Sequence, residues 1–329
     1  MRFLLDAGQR EFARSLDGML TAARTPAAVR AWSAGDHGPG RALWSRLAEA
    51  GVFALAVPQE HGGLDPHPVE LAVAFTQLGR HAVPGPLVET VAAATLLDHL
   101  DDKTLAATWL QGIASGRTAA SLCLLTPDSP YALDADAADA VFVVAEDTVG
   151  LAESAGPVQP SADPARRLAR PLGTVVHARG PQVRAAAERA ADLAALATAA
   201  QALGLGRTLL ERTVDHVKHR TQFGRPIGSF QAVQHRLADV LIALEFAEPL
   251  VHAAAVALAA GHCDGPRDLA AAKLAAGEAA YGAARTALHC HGALGYTEEL
   301  DLSLWIRKAR ALRTAWGTPA ACRARVLAE

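Results

Sequence analysis

The chain has 329 residues, 51% of them hydrophobic, and sets 31 Lys and Arg against 34 Asp and Glu for a formal net charge of −3. That length supports one large or two to three modest domains with real cores, the profile of a soluble globular protein. Acids and bases are interspersed rather than blocked, so there is no electrostatic footprint for duplex nucleic acid or an anionic membrane, and neither partner is expected.

The opening MRFLLDAGQREF places Asp6, Arg10 and Glu11 where a secretory signal needs an unbroken apolar run, which predicts a cytoplasmic protein. From residue 1 to about 115 the pattern is helical, over Leu4 to Thr21, Gly40 to Ala50 and Val69 to Leu78, with Gly and Pro as punctuation and PQEHGGLDPHP as a loop. The middle, about residues 116 to 180, differs in kind. TAASLCLL, AVFVVAED and GTVVHARG are short apolar or β-branched runs between Pro- and Asp-rich turns, and they predict a small β domain.

After Gly180 long Ala- and Leu-rich segments with charged faces return, roughly 182 to 218, 229 to 261, 265 to 292 and 302 to 314, and they predict a four-helix bundle over residues 181 to 329. The longest apolar tract, Ala190 to Leu205, is broken by Asp192, Thr198 and Gln201, which reads as a buried helix and not a membrane span. Gly204-Leu205-Gly206 resembles the start of a dinucleotide fingerprint but has no strand before it, so helix packing explains it better. The expected fold class is therefore mainly α with a small β middle domain.

Cys123, Cys263, Cys290 and Cys322 are far apart, form no CxxC pair and read as reduced thiols. His216, His219 and His235 lack nearby Cys or clustered carboxylates, and His289 and His291 flank the lone Cys290 with no clustered carboxylates, so no metal is expected.

Two segments carry the chemistry. In RTQFGRPIGSFQAVQHRLADV, residues 220 to 240, Arg220 suits a phosphate, Phe223 an apolar wall and Gln231 a polar edge, beside Gln222. Alone, Arg and Gln near a helix start are as readily solvated surface groups. The second segment is HCHGALGYTEELDLSLWIRKARALRTAWGT, where Gly292 and Gly295 permit close backbone approach to a ligand.

Together these segments resemble the two signature regions of acyl-CoA dehydrogenases, and LWSRLAEAGVFALAVPQEHGGLDPHPVELAVAFTQLGR resembles that family's N-terminal helical domain. The resemblance covers nearly the whole chain, in order. It implies a helical domain, a β domain and a helical bundle, with FAD bound across a subunit interface. By position Arg220 and Gln231 resemble residues that reach a neighbouring subunit's FAD, and His289 to Ala293, including Gly292, occupies the place of a Gln-x-x-Gly-Gly segment that touches it too. Thr318 to Ala320 would sit at the dinucleotide of the chain's own site.

The family's reaction implies a carboxylate that removes the α-proton of an acyl-CoA thioester while the β-hydrogen leaves as hydride to the flavin. In most members the base is the Glu of Tyr-Glu-Gly-Thr, which here reads Ala315-Trp316-Gly317-Thr318. Trp316 accepts no proton; it either fills the vacated acyl pocket or packs as a core aromatic. The alternative base position, 26 residues before Arg220, is Ala194. Asp192 matches an acidic position near the substrate, but the Arg expected beyond it is Ala195. The flavin-covering Thr-Glu-Pro…Gly-Ser-Asp segment is reduced to LLTPDSP, with Thr126 followed by Pro127, and the Trp-Ile-Thr segment is not recognisable. Glu298 and Glu299 read as helix-start acids.

The resemblance thus implies a subunit that pairs with a Glu-bearing relative and shares its flavin site, passing electrons to an electron-transfer flavoprotein. The alternatives are a self-sufficient homo-oligomer with an unidentified base or water relay, and a non-catalytic scaffold.

Overall fold

The computed structural model describes residues 4–126, 129–262 and 265–328. In chain order the elements are α1 (Ala7–Ala23), α2 (Thr25–Ser33), α3 (Gly38–Glu49), α4 (Pro68–Arg80), α5 (Leu87–Asp98) and α6 (Lys103–Ala114), then the strands β1 (Ala120–Leu124), β2 (Ala132–Leu133), β3 (Ala140–Ala145), β4 (Thr148–Ala155), β5 (Leu168–Ala169) and β6 (Pro171–Arg179). The long helix α7 (Pro181–His219) follows, then the hairpin β7 (Thr221–Gln222) and β8 (Arg225–Pro226), and finally α8 (Gln231–Ala260), α9 (Gly265–His291), α10 (Leu302–Thr314) and α11 (Pro319–Leu327). The mainly helical class with a small sheet in the middle is the one the sequence predicts. The four long C-terminal helices fall within a residue or two of their expected ends.

The chain divides into two compact units: Met1–Pro26, Ala72–Ala82 and Ala195–Glu329 form one, Ala27–Leu71 and Val83–Ala194 the other. In the first, Asp6 caps α1 through a reciprocal pair, its carboxylate accepting from Gln9 N at 2.8 Å and Gln9 Oε1 accepting from Asp6 N at 3.0 Å. Helices α4 and α7 touch backbone to backbone. A Cβ on Gly79 would lie 1.9 Å from the Gln201 carbonyl, and one on Gly204 would lie 1.8 Å from the Thr76 carbonyl. The two glycines are notches cut for each other's helix, and Gly206 opens the next step for Leu244 and Ala280. This is the packing role expected of Gly204 and Gly206.

The close crossing leaves the end of α4 partly buried, and side chains satisfy it. The Arg80 carbonyl accepts from Thr208 Oγ1 at 2.9 Å and from Trp305 Nε1 at 2.8 Å. The Arg80 guanidinium is bidentate on Glu211, at 3.0 and 2.7 Å. An open pocket of about 320 Å³ beside it is lined by Arg14, Asp17, Arg80, Arg207 and Glu248. Its arginines are already committed, Arg207 to Glu245 and Glu248 and Arg80 to Glu211, so it is a salt-bridged groove.

Helix α9 packs against α8, α10 and α11, with Ala276, Ala280, Ala283, Ala284 and Ala287 all buried. Both α7 and α8 are long and apolar enough to cross a membrane; the apolar window of α7 is 89% buried in the protein, that of α8 only 39%. Along α8 the side chains of Leu241, Ile242, Phe246 and Leu250 are exposed.

In the second unit a four-stranded sheet has the order β1-β3-β4-β6, with β1 and β3 parallel and the other pairs antiparallel. Thr90 of α5 fixes its start, donating to the Ala120 carbonyl at 2.7 Å and accepting from the Ala120 amide at 3.0 Å. Trp32 Nε1 donates to Asp134 Oδ1 at 3.1 Å, and the same oxygen accepts from the Arg167 amide at 3.2 Å. Asp134 is fully buried. Burial pushes its carboxyl up to about 7, against the pull of the Trp32 bond.

Helices α2, α5, α6 and α11 and strand β4 are elements that the sequence pattern did not reveal. The reason is plainest in α5, which is buried on all sides from Leu87 to Leu97, so its residues show no amphipathic period. Cys123, Cys290 and Cys322 are unpaired and buried; Cys263, like Pro127 and Asp128 of the LLTPDSP segment, lies outside the described residues.

Gly204→Ala should lower stability by about 1–3 kcal/mol despite the better helix propensity of Ala, read as a fall in the thermal midpoint. Asp134 binds its proton more tightly folded, at about 7, than as a free aspartate at 3.8. Its contribution is therefore full below pH 4 and is lost as pH rises through 7. Asp134→Asn, which keeps an acceptor for Trp32, should flatten the fall of the thermal midpoint between pH 5 and 8 relative to the unaltered chain.

Candidate functional site

The segment after α7 leaves the helix as a short projecting hairpin. Ile227 N returns to the Arg220 carbonyl at 2.8 Å and closes its base, while β7 and β8 pair Thr221 with Pro226 and Gln222 with Arg225. The tip is Phe223-Gly224, both at positive φ, 55° and 76°. Phe223 is 91% exposed. Its ring meets Phe230 edge-on at 6.2 Å, and the Arg225 guanidinium lies over the Phe230 ring at 4.1 Å. The side chains of Arg220, Gln222 and Gln231, the first residue of α8, are all exposed.

The end of α9 lies beside this hairpin. The rings of His216 on α7 and His291 on α9 stack with centroids 4.0 Å apart. His291 Nδ1 is 2.8 Å from the Ala287 carbonyl, which assigns that nitrogen as the donor. Burial, then His291 and Arg220, hold His216 below the usual histidine range. Next to the stack, His289 and Ala293 are exposed, and a Cβ on Gly292 would meet nothing within 4 Å. Gly295 differs from expectation: it is buried, and a Cβ there would lie 3.1 Å from Leu288 Cδ1, so it serves internal packing and only Gly292 is open to a ligand. The stack is the feature that brings Arg220, Gln222, Phe223 and Gln231 together with His289, Gly292 and Ala293. Nothing in the sequence pattern of the histidines marks His216 and His291 as partners.

The third segment is elsewhere. Trp316, at φ 51°, and Gly317, at φ 132°, form the turn between α10 and α11, and Thr318 caps α11 by accepting from Ala321 N at 3.2 Å. This turn is hydrogen-bonded to Lys273 near the start of α9. Lys273 and His289 share one uninterrupted helix and stand about 24 Å apart along its axis. The turn and the His289 segment therefore do not converge on one place.

Asp192 and Ala194 are buried on the part of α7 that belongs to the other unit. Glu298 pairs with Arg307 at 2.7 Å, and the α10 cap residue Asp301 makes no side-chain cap bond, so the expected helix-start role of Glu298 gives way to an ion pair. Among the described residues no group of three or more His, Cys, Asp or Glu gathers to hold a metal ion.

Residues 6–117 match the family model "Acyl-CoA dehydrogenase, N-terminal domain", and residues 184–329 match "Acyl-CoA dehydrogenase, C-terminal domain". The chain belongs to the acyl-CoA dehydrogenase family. This is a family of oxidoreductases. Among its curated relatives the chain is 37% identical to acyl-CoA dehydrogenase IpdE2 of Mycobacterium tuberculosis, over 86% of this chain and 85% of that one. It is 30% identical to IpdE2 of Mycolicibacterium smegmatis, over 90% of each. The fold is shared with a glutaryl-coenzyme A dehydrogenase in complex with glutaryl-CoA, at TM-score 0.88 and 20% identity over 99% of this chain and 95% of that one. It is also shared with a chain of the ChsE4–ChsE5 complex of Mycobacterium tuberculosis, at TM-score 0.85 and 24% identity over 99% and 98%. Residues 118–183, between the two family matches, contain the four-stranded sheet.

Because Phe223 buries almost nothing, Phe223→Ala should leave the thermal midpoint of the isolated chain unchanged. A fall of more than a degree or two in a melting curve would mean that the tip packs within the chain.

Proposed function

We propose that this chain is an acyl-CoA dehydrogenase subunit that completes the flavin site of a Glu-bearing homologous partner. The observation that carries the reading is the separation, along α9, of the flavin-associated segments from the turn at residues 316–317. The Arg220–Gln231 hairpin and the His289–Ala293 segment lie together, exposed, at one end. The turn at the family's base position lies about 24 Å away and offers Trp316.

The exposed end fits the group that the family binds. A bare backbone at Gly292 leaves room for close approach by a phosphate. Arg220 presents a planar, permanently charged donor fork to it. Gln222 and Gln231 supply neutral donors and acceptors on the same side, and Phe223 offers an apolar face. Burial, His291 and Arg220 lower the pKa of His216, which disfavours a second charge beside Arg220. When bound, FAD supplies the acceptor for the hydride that leaves the acyl β-carbon. The chain's own task is to bind and orient the dinucleotide from across the interface. The carboxylate that takes the α-proton comes from the partner, because neither Trp316 nor Ala194 can accept it. Homologous chains that occur as a complex, such as ChsE4–ChsE5, support the pairing. The substrate class we assign is an acyl-CoA thioester, with an electron-transfer flavoprotein as acceptor.

The test is co-expression with a Glu-bearing family member, recording flavin absorbance and acyl-CoA oxidation for the pair and for each chain alone. The pair should be yellow and active and this chain alone inactive; turnover by the lone chain would overturn the proposal in favour of a self-sufficient homo-oligomer. In the pair, Arg220→Ala should weaken FAD retention by roughly 10- to 150-fold, the worth of a charged hydrogen bond. Trp316→Glu should leave the rate unchanged. A scaffold would show no loss with Arg220→Ala.

A further inference from the structure

We propose that Lys273 is the positioning residue for the Trp316 turn, a buried ammonium that ties both arms of the turn to α9. Lys273 is 1% exposed. Its Nζ donates to the carbonyls of Leu312 at 3.0 Å, Arg313 at 3.2 Å and Gly317 at 3.2 Å. An ammonium has three donors, and all are used.

The acceptors explain why a cation belongs there. Leu312 and Arg313 are in the last turn of α10, where carbonyls lose their helical partners and carry the negative end of the helix dipole. Gly317 lies beyond the helix, and its carbonyl folds back only because Trp316 and Gly317 take φ of 51° and 132°. A left-handed backbone is disfavoured for a tryptophan, so something must hold it, and the Lys273 bonds span Trp316 and the freely turning Gly317. The rest of the dock comes from neighbouring positions on α9. Glu278 accepts from Arg313 Nε at 2.9 Å, and the Tyr281 ring lies 4.9 Å beneath the Arg313 guanidinium. Gly277 brings α9 close: a Cβ there would be 3.6 Å from Arg313 Cα.

The turn is thus a preformed socket that displays residue 316 in a fixed direction, whatever residue fills it. What the turn faces rests on the proposed family function; the anchor itself is tested without acyl-CoA, flavin or partner, so either idea can fail alone.

The experiment uses the full chain with Lys273→Met, which keeps length and loses every donor, and Lys273→Gln, which keeps two. Trypsin cleavage after Arg313 is followed by mass spectrometry, and iodide quenching of Trp316 is read as the difference from Trp316→Phe in each background. Cleavage after Arg313 should quicken by roughly tenfold or more in Lys273→Met as the turn opens locally, and Trp316 quenching should rise with it. Cleavage at other sites and the helical circular dichroism should not change, and Lys273→Gln should fall between. Unchanged cleavage and quenching, or a uniform rise at every site, would overturn the proposal. If Lys273→Met does not fold, Lys273→Gln decides by the same readouts. In the unaltered chain, amide exchange at residues 315–317 as fast as in an open loop would overturn it with no substitution at all.

Discussion

The helical unit depends on a contact made by two residues with no side chain. Gly79 and Gly204 let α4 and α7 meet backbone to backbone, with each carbonyl where the other's Cβ would be. The last carbonyl of α4, partly buried there, is satisfied from within the unit, by Thr208 and Trp305. The consequence runs on through the bundle: Trp305 fixes α10 to the end of α4, Arg212 lies over its ring at 4.3 Å, and Gly206 seats α7 against α8 and α9.

With α7 and α9 fixed in this way, their C-terminal ends emerge side by side, and the His216–His291 stack joins them. The hairpin and the His289 segment are therefore displayed together by rigid helices rather than by a free loop. Function and exposure go together here. The side chains that the family resemblance singles out make few contacts within the chain, which suits groups whose ligand and partner come from outside. The other end of α9 shows the opposite economy, with a buried ammonium and an ion pair spent on holding a turn that carries no proton-accepting side chain.

Exposed apolar side chains and buried polar ones occur in both units. In the first, the apolar face of α8, with Leu241, Ile242, Phe246 and Leu250, is left open. In the second, polar groups are buried deeply, and Asp134 is held by Trp32 and the Arg167 amide in a place where its charge is costly.

What the sequence determined by itself was the class of fold, the long helices and the two signature segments. Their periodicity, their order and the residue types at fixed spacing are local properties, legible without knowing what packs where. That neither Trp316 nor Ala194 carries a carboxylate was equally legible, because an absent carboxylate needs no geometry to be noticed. Only the tertiary structure decided the rest. Helix α5 hides its period because all but one of the residues from Leu87 to Leu97, Glu89 and Thr90 included, are buried. Gly292 and Gly295 look alike in the sequence, yet one faces open space and the other packs on Leu288. Lys273 reads as an ordinary lysine on an Ala-rich helix until the carbonyls of a turn about forty residues later close around its ammonium. Such pairings join residues distant in the chain, and no local pattern encodes a contact whose two halves are specified separately.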